Sequence, residues 1–280
     1  MRVLLFANNW VGCQIAELLR SQGEEIVGLV MHPATQQKYG QEINATVGLD
    51  ASRIFDGSQL RTPDVISSIE RLAPEIGISA FFGYILRREI LELLPSGCIN
   101  IHPAFLPYNR GAHPNIWSIV ENTPAGVTIH YIDEGVDTGD IVAQQQVSVE
   151  ATDTGEILYH RLERSCVDLF KQAWTSIRNG TAPRYPQLSG GTFHRVRDVA
   201  EIDEIDLNRT YLARDLINIL RARTFPPHKS AYFKSGDSKI YVRIHLHNEG
   251  TPQRDQPTNV GNTADENRAG QLSRNAKLPD

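Results

Sequence analysis

Two polar residues, Asn100 and His102, close the short apolar run "CINIH". Both types act on acyl groups: an Asn amide N–H can stabilise a forming oxyanion, and a His can carry a proton near neutral pH. In an extended chain alternate side chains share a face, so the two would point the same way. A third group is needed to orient the imidazole and favour its charged form. Asp137 in the loop "EGVDTGD" is the best-placed carboxylate; Asp140 is a rival, but it opens the next strand. The plainer alternative is that Asn100 and His102 end a buried strand and bond to a turn, with Asp137 an ordinary turn residue.

The elements that must position these residues follow from hydrophobic period. "RVLLFA" (Arg2–Ala7), "EIVGLVMH" (Glu25–His32), "EIGISAFF" (Glu75–Phe82) and "CINIH" (Cys98–His102) read as buried strands. Amphipathic segments lie between them, such as "VGCQIAELLRSQG" with Gly23 as its stop. Apolar strands alternating with helices predict an α/β, doubly wound, mainly parallel sheet covered on both faces. In such sheets ligands lie at the carboxyl ends of the strands, which is where Asn100 and His102 stand. "AGVTIHYID" and "DIVAQQQVSV" then read as an antiparallel addition, and Thr154–Gly180 as a long helix with apolar residues Ile157, Leu158, Leu162, Cys166, Leu169, Phe170 and Trp174. These make a catalytic domain over residues 1–185. "TAPRYPQLSGG" reads as a linker. Residues 186–247 form a small C-terminal helix plus β-hairpin unit. The polar segment 248–280 is too poor in large apolar residues to offset chain entropy and is expected to be disordered.

Composition narrows the classes. The chain has 280 residues, 40% of them hydrophobic, and a formal net charge of −5. No apolar run approaches the roughly 20 residues that cross a bilayer, and Asn8 and Asn9 interrupt the first apolar run too early for a signal peptide. A cytoplasmic protein with no membrane partner is expected. Bulk charge gives no support to a nucleic-acid partner, although a local basic pocket for a phosphorylated small molecule stays open. Cys13, Cys98 and Cys166 are few and scattered, which argues against disulfides and a cysteine zinc site; they read as core residues. His113, His130 and His160 match no metal spacing and read as surface or locally bonded groups. "ANNWVGCQ" lacks the glycine spacing of a dinucleotide site.

The stretches "INIHPAFLP", "RGAHP" and "GVTIHYIDEGVDTGDI" together resemble the formyltransferases that use N10-formyltetrahydrofolate. That family carries an Asn-x-His at a strand end, a Leu-Pro shortly after it and an Asp in a downstream loop, and Asn100, His102 and Asp137 fall on those positions. The resemblance implies a formyltransferase-type Rossmann-like core and a catalytic Asn/His/Asp triad. Asn100 would stabilise the oxyanion, His102 would accept the amine proton, and Asp137 would hold His102 and raise its pKa. It also implies N10-formyltetrahydrofolate as co-substrate, no metal, and a pterin pocket made by Phe82, Gly83, Tyr84, Ile85 and Leu86 on one side and Ile132, Asp133 and Gly135 on the other. The sequence looks closest to nucleotide-sugar N-formyltransferases, with a dTDP-amino-dideoxyhexose as acceptor in lipopolysaccharide or O-antigen synthesis.

Acceptor contacts are expected after Pro107, from Tyr108, Asn109, Arg110 and His113, and near the first strand, from Asn9, Trp10 and Lys38. Trp10 reads as a core cap or a stacking surface, Lys38 as a pyrophosphate contact or, more readily, a solvated lysine, and Arg110 equally as a free loop cation or an anion contact. A methionyl-tRNA formyltransferase is the alternative, disfavoured by the small C-terminal unit and acidic charge. A formyltetrahydrofolate hydrolase, with water as acceptor, is another. The apolar C-terminal hairpin suggests a homodimer.

Overall fold

The computed structural model describes residues 1–249, so all but the first two residues of the predicted polar tail lie outside the described residues. A seven-stranded sheet carries the fold. In chain order its strands are β1 (Arg2–Ala7), β2 (Glu25–Met31), β3 (Ile54–Asp56), β4 (Ile76–Ala80) and β5 (Cys98–His102). After a two-residue strand outside this sheet, β6 (Arg110–Gly111), come β7 (Ala125–Tyr131) and β8 (Ile141–Val147). The spatial order is β3-β2-β1-β4-β5-β7-β8; the first five run parallel and β7 and β8 antiparallel, as expected from the sequence. The three-residue β3 was not foreseen, because three residues carry no readable period.

Alternation within β1 shows how the sheet is covered. Val3, Leu5 and Ala7 enter one core cluster, with apolar residues of α1 (Asn9–Ser21) and α2 (Gly40–Val47). Leu4 and Phe6 enter the other, with Ile69 of α3 (Pro63–Arg71) and Ile90 of α4 (Arg88–Leu91). Val3, Leu4, Leu5 and Phe6 are fully buried, and each contributes roughly 1.5–3 kcal/mol of transfer free energy. In β5, Ile99 and Ile101 join the first cluster and Cys98 the second, so Asn100 and His102 project from the Cys98 face. The three cysteines are buried and free.

The first cluster is completed by α5 (Pro114–Val120) and α6 (Gly155–Arg178). The Thr154 hydroxyl caps α6 by accepting from the Ile157 N–H at 3.3 Å, and Gly180 follows its end at φ 67°. Of the predicted apolar face, Ile157 is the exception: it is 47% exposed, one position off the buried stripe that starts at Leu158.

The C-terminal part contains β9 (Phe193–His194), α7 (Val199–Asp203), α8 (Ala213–Ala222) and the hairpin β10 (Tyr232–Ser235) and β11 (Ser238–Tyr241). Residues Met1–Leu246 pack as one unit. Gly155 shows why: a Cβ there would collide with the Ala222 carbonyl, so α6 can begin against α8 only without a side chain. The segment read as a linker is also tied down. Tyr185 exchanges two backbone bonds with Ile141, and just beyond the segment β9 pairs parallel with β6. No described helix is long and apolar enough to cross a membrane.

Candidate active site

Strand β5 ends in a polar cluster. Asn100 sits opposite His130 in the β5–β7 register. Asp137 reaches the same point from the β7–β8 loop, at φ 54°, a left-handed conformation that Asp tolerates better than most residues. Its carboxylate accepts from the Gly111 N–H at 2.8 Å and from Asn100 Nδ2 at 3.3 Å. His102 Nε2 lies 3.6 Å from its Oδ2 and His130 Nε2 3.4 Å from its Oδ1.

Proton positions follow from what each nitrogen faces. His102 Nε2 points at two acceptors, Asp137 and the Asn109 carbonyl at 3.3 Å. A neutral His102 therefore carries its proton on Nε2 and keeps a lone pair on Nδ1. His130 Nδ1 is 2.9 Å from the Tyr131 carbonyl, so that nitrogen donates, and Nε2 accepts from Asn100 Nδ2 at 3.2 Å. Both hydrogens of the Asn100 amide are thus engaged in the resting site.

Burial is the largest influence on His102 and holds its pKa below the ordinary value, against the upward pulls of Asp137 and the Asn109 carbonyl; His130 pushes the same way as burial. The pull of Asp137 on His102 is upward, in the expected direction, but desolvation outweighs it and the net shift is downward. Burial would raise Asp137, yet His102, His130 and the Gly111 N–H outweigh it and keep the carboxylate well below its usual range. The pair is a neutral imidazole beside a firm anion.

The cluster lies in a cavity of about 420 Å³ whose wall includes every residue expected for the pterin pocket: Phe82, Gly83, Tyr84, Ile85 and Leu86, with Ile132, Asp133 and Gly135 across from them. Residues 81–86 are neither helix nor strand, which leaves their backbone donors and acceptors out of any ladder. His32, missed in the sequence, holds this wall: its Nε2 accepts from the Gly83 N–H at 3.0 Å and its ring meets Phe82 and Tyr84 edge-on. Asp133 braces the facing loop, accepting from the Gly135 N–H at 3.0 Å and the Thr138 hydroxyl at 2.6 Å.

The expected acceptor residues divide. Asn9, Trp10 and Lys38 line a second cavity with Tyr159, His160, Glu163, Arg164 and His228. Lys38 and His113 line a third with Asp203, Arg223, His228 and Lys229. The third cavity shares Val196 with the catalytic one, and Ala112 and Pro114, the neighbours of His113, line the catalytic wall. Asn9 already spends its amide on Tyr159 at 2.7 Å and Glu163 at 2.8 Å. Asn109 is a correction: it has no exposed surface, and its side chain bonds Ser118, Thr123 and Thr192. Tyr108 and Arg110 line none of these three cavities, and Arg110 donates to the Gly190 carbonyl. Asp140, the rival carboxylate, faces Arg184 at 3.4 Å instead.

His130 was read as a surface or locally bonded group, yet it is 1% exposed and inside the cluster. Its pairing with Asn100 depends on register between strands far apart in sequence, which local pattern does not give.

The doubly wound sheet thus carries an Asn/His/Asp cluster at a strand end, beside a cavity walled in part by irregular backbone. The chain belongs to the formyl transferase family, whose profile matches residues 1–173; the profile of an N-formyltransferase dimerization C-terminal domain matches residues 198–248. A methionyl-tRNA formyltransferase of Syntrophus aciditrophicus is 34% identical over 177 residues, 61% of this chain; the alignment spans 57% of that relative's length. A sugar N-formyltransferase from Shewanella sp FDAARGOS_354 superimposes with a TM-score of 0.77 at 25% identity, covering 88% of this chain and 98% of that one. The formyltransferase PseJ from Anoxybacillus kamchatkensis, solved with UDP-4,6-dideoxy-4-formamido-L-AltNAc and tetrahydrofolate, superimposes with a TM-score of 0.55 at 30% identity, covering 72% and 89%.

Proposed function

We propose that this protein transfers a formyl group from N10-formyltetrahydrofolate to the amine of a nucleotide-linked amino sugar, a dTDP-amino-dideoxyhexose being the expected acceptor. One observation carries the reading: the Asn100/His102/Asp137 cluster opens into a slot that meets, at Val196, a cavity rich in cations. The second and third cavities together present Lys38, Arg164, Arg223 and Lys229 against Glu163 and Asp203. A net-positive wall suits a diphosphate. Trp10 at its edge offers a face for a base or sugar.

The slot fits a pterin: apolar Leu86 and Ile132 flank irregular backbone, which suits a flat, hydrogen-bonding ring. When bound there, the folate supplies the activated formyl carbon. His102 Nδ1 takes the proton of the amine as its nitrogen bonds to that carbon. Asn100 turns one N–H from the long 3.3 Å bond with Asp137 to the formyl oxygen, where negative charge develops. Asp137 fixes the tautomer of the neutral imidazole and stabilises the imidazolium that results. His102 then returns the proton to the departing N10, leaving a formamide and tetrahydrofolate.

Methionyl-tRNA is the second reading, favoured by the naming of the Syntrophus relative. Incubating the protein with N10-formyltetrahydrofolate and separate acceptors, and measuring tetrahydrofolate release, separates the readings. Release only with nucleotide-linked amino sugars is expected. Release only with methionyl-tRNA would overturn the sugar reading, and release without an acceptor would indicate hydrolysis. A homodimer through the C-terminal unit belongs to the same proposal; β10 and β11 leave Ile240 and Tyr241 43% and 46% exposed. Light scattering that gives a monomer would contradict it.

A further inference from the structure

The two family profiles cover residues 1–173 and 198–248, so the stretch between them belongs to neither. That stretch lies on the catalytic loops. From Pro183 to Gly191 every residue is exposed except Gln187. The Gln187 side-chain amide turns inward and donates to two carbonyls of the β7–β8 loop, that of Asp137 at 2.8 Å and that of Gly139 at 2.9 Å. Those bonds hold the backbone that leaves Asp137 after its left-handed turn.

The same strap then fixes the loop that faces Asp137 from the other side. The Asn109 N–H donates to the Thr192 hydroxyl at 2.9 Å, the Arg110 N–H to the Thr192 carbonyl at 3.0 Å and the Ala112 N–H to the His194 carbonyl at 2.8 Å. That loop supplies the Gly111 N–H to the Asp137 carboxylate and the Asn109 carbonyl to His102. Gly191 lets the strap lie this close, because a Cβ there would collide with the Pro107 carbonyl. The far end is pinned by His194, stacked on Trp117 with ring centroids 3.9 Å apart and 3.2 Å from a Glu121 oxygen.

We infer that residues 187–194 are a positioning strap for the active site and that Gln187 is a positioning residue acting through the Asp137 backbone. The inference rests on the Asn100/His102/Asp137 reading. An amide that donates twice fits two backbone carbonyls, whereas a shorter Asn does not span them and a Met of similar shape has nothing to donate. Without these bonds Asp137 gains freedom, its pull on His102 weakens, and the His102 pKa falls further.

The test is Gln187→Met in the full chain, with Gly191→Ala as an independent disturbance of the strap and Asp137→Asn as the reference. In Gln187→Met we expect kcat to fall about tenfold with KM for both substrates changed less than twofold. The acid limb of the kcat/KM profile should move to lower pH, and thermal melting should stay near that of the parent. Gly191→Ala should move kcat and the pH limb in the same direction, which keeps the inference testable if Gln187→Met does not fold. A Gln187→Met enzyme with parental kcat and pH profile, beside a crippled Asp137→Asn, overturns the strap and leaves the triad standing. A rise in KM alone would also overturn it, since it would make Gln187 a binding residue. Full activity in Asp137→Asn would remove the triad reading itself.

Discussion

Asp137 and Asp153 are both largely buried carboxylates, held in opposite ways. Asp153 receives Arg161 through two parallel bonds of 2.6 and 2.8 Å and the Glu150 N–H at 2.7 Å. Arg221 closes the same corner by donating to the Glu150 and Asp153 carbonyls. Every contact there is short, and none of it lines the catalytic cavity. Asp137 has one short bond to its carboxylate, from Gly111; Asn100, His130 and His102 stand at 3.3, 3.4 and 3.6 Å. A fork-to-fork arginine pair makes a rigid corner. Two imidazoles and an amide, all at 3.3 Å or more, make a looser cluster. The saturated corner lies away from the catalytic cavity, and the looser anion opens on it.

The largest expected effect sits at the loose site. In the proposed mechanism Asn100→Ala removes the N–H that meets the formyl oxygen, a loss that costs roughly 2.7–4 kcal/mol of barrier in comparable sites. Turnover should fall about 100-fold or more while folate binding, measured by fluorescence or calorimetry, persists. Unchanged turnover would erase the functional half of the contrast.

Asp153→Asn tests the other half. It breaks the arginine fork at a buried residue, but Arg161 is one-third exposed and can re-solvate. The cost should be about 2 kcal/mol, below the 3–5 of a fully buried broken pair. Melting should drop by about 4–8 °C. The kcat per folded molecule should stay within twofold; a loss of kcat comparable to that of Asn100→Ala would mean that Asp153 is no mere scaffold.

The contrast also explains what the sequence revealed. Asn100 and His102 were legible because two positions on one strand share a face whatever the strand packs on. Asp137 was legible because its loop immediately follows a recognisable strand. His130 was not, since it meets Asn100 only through the β5–β7 register. Asn109 was expected to contact the acceptor, yet it is buried and bonded to Ser118, Thr123 and Thr192, the last from far along the chain. Only the first part of the strap, residues 187–191, fell in the segment read as a linker, and the rest gave no signal either: β6 and β9 are two residues each, too short for any period, and their pairing joins distant segments. Local rules found the strands and the groups at their ends, and what remained hidden was nonlocal hydrogen bonding.

The smallest effect is a pH shift that reads the two aspartates directly. In the proposed mechanism His102 acts as a base in its neutral form, so kcat/KM should rise with pH through its ionisation. Because burial holds that pKa below the ordinary 6.5, the acid limb should lie below 6.5. A limb above 6.5 would mean that Asp137 outweighs desolvation. In Asp137→Asn the upward pull is gone, so the His102 imidazole signals followed by NMR should titrate lower still. In Asp153→Asn they should not move. Stability carries the same signature. The depressed Asp137 pKa contributes stability that is present above the unfolded value near 3.9 and is lost as pH falls through the folded one. Asp137→Asn should therefore lower the melting temperature at pH 7, with the difference from the parent shrinking as the solution is acidified below that value. A difference that stays constant with pH would assign its cause to packing rather than to the charge that the two histidines face.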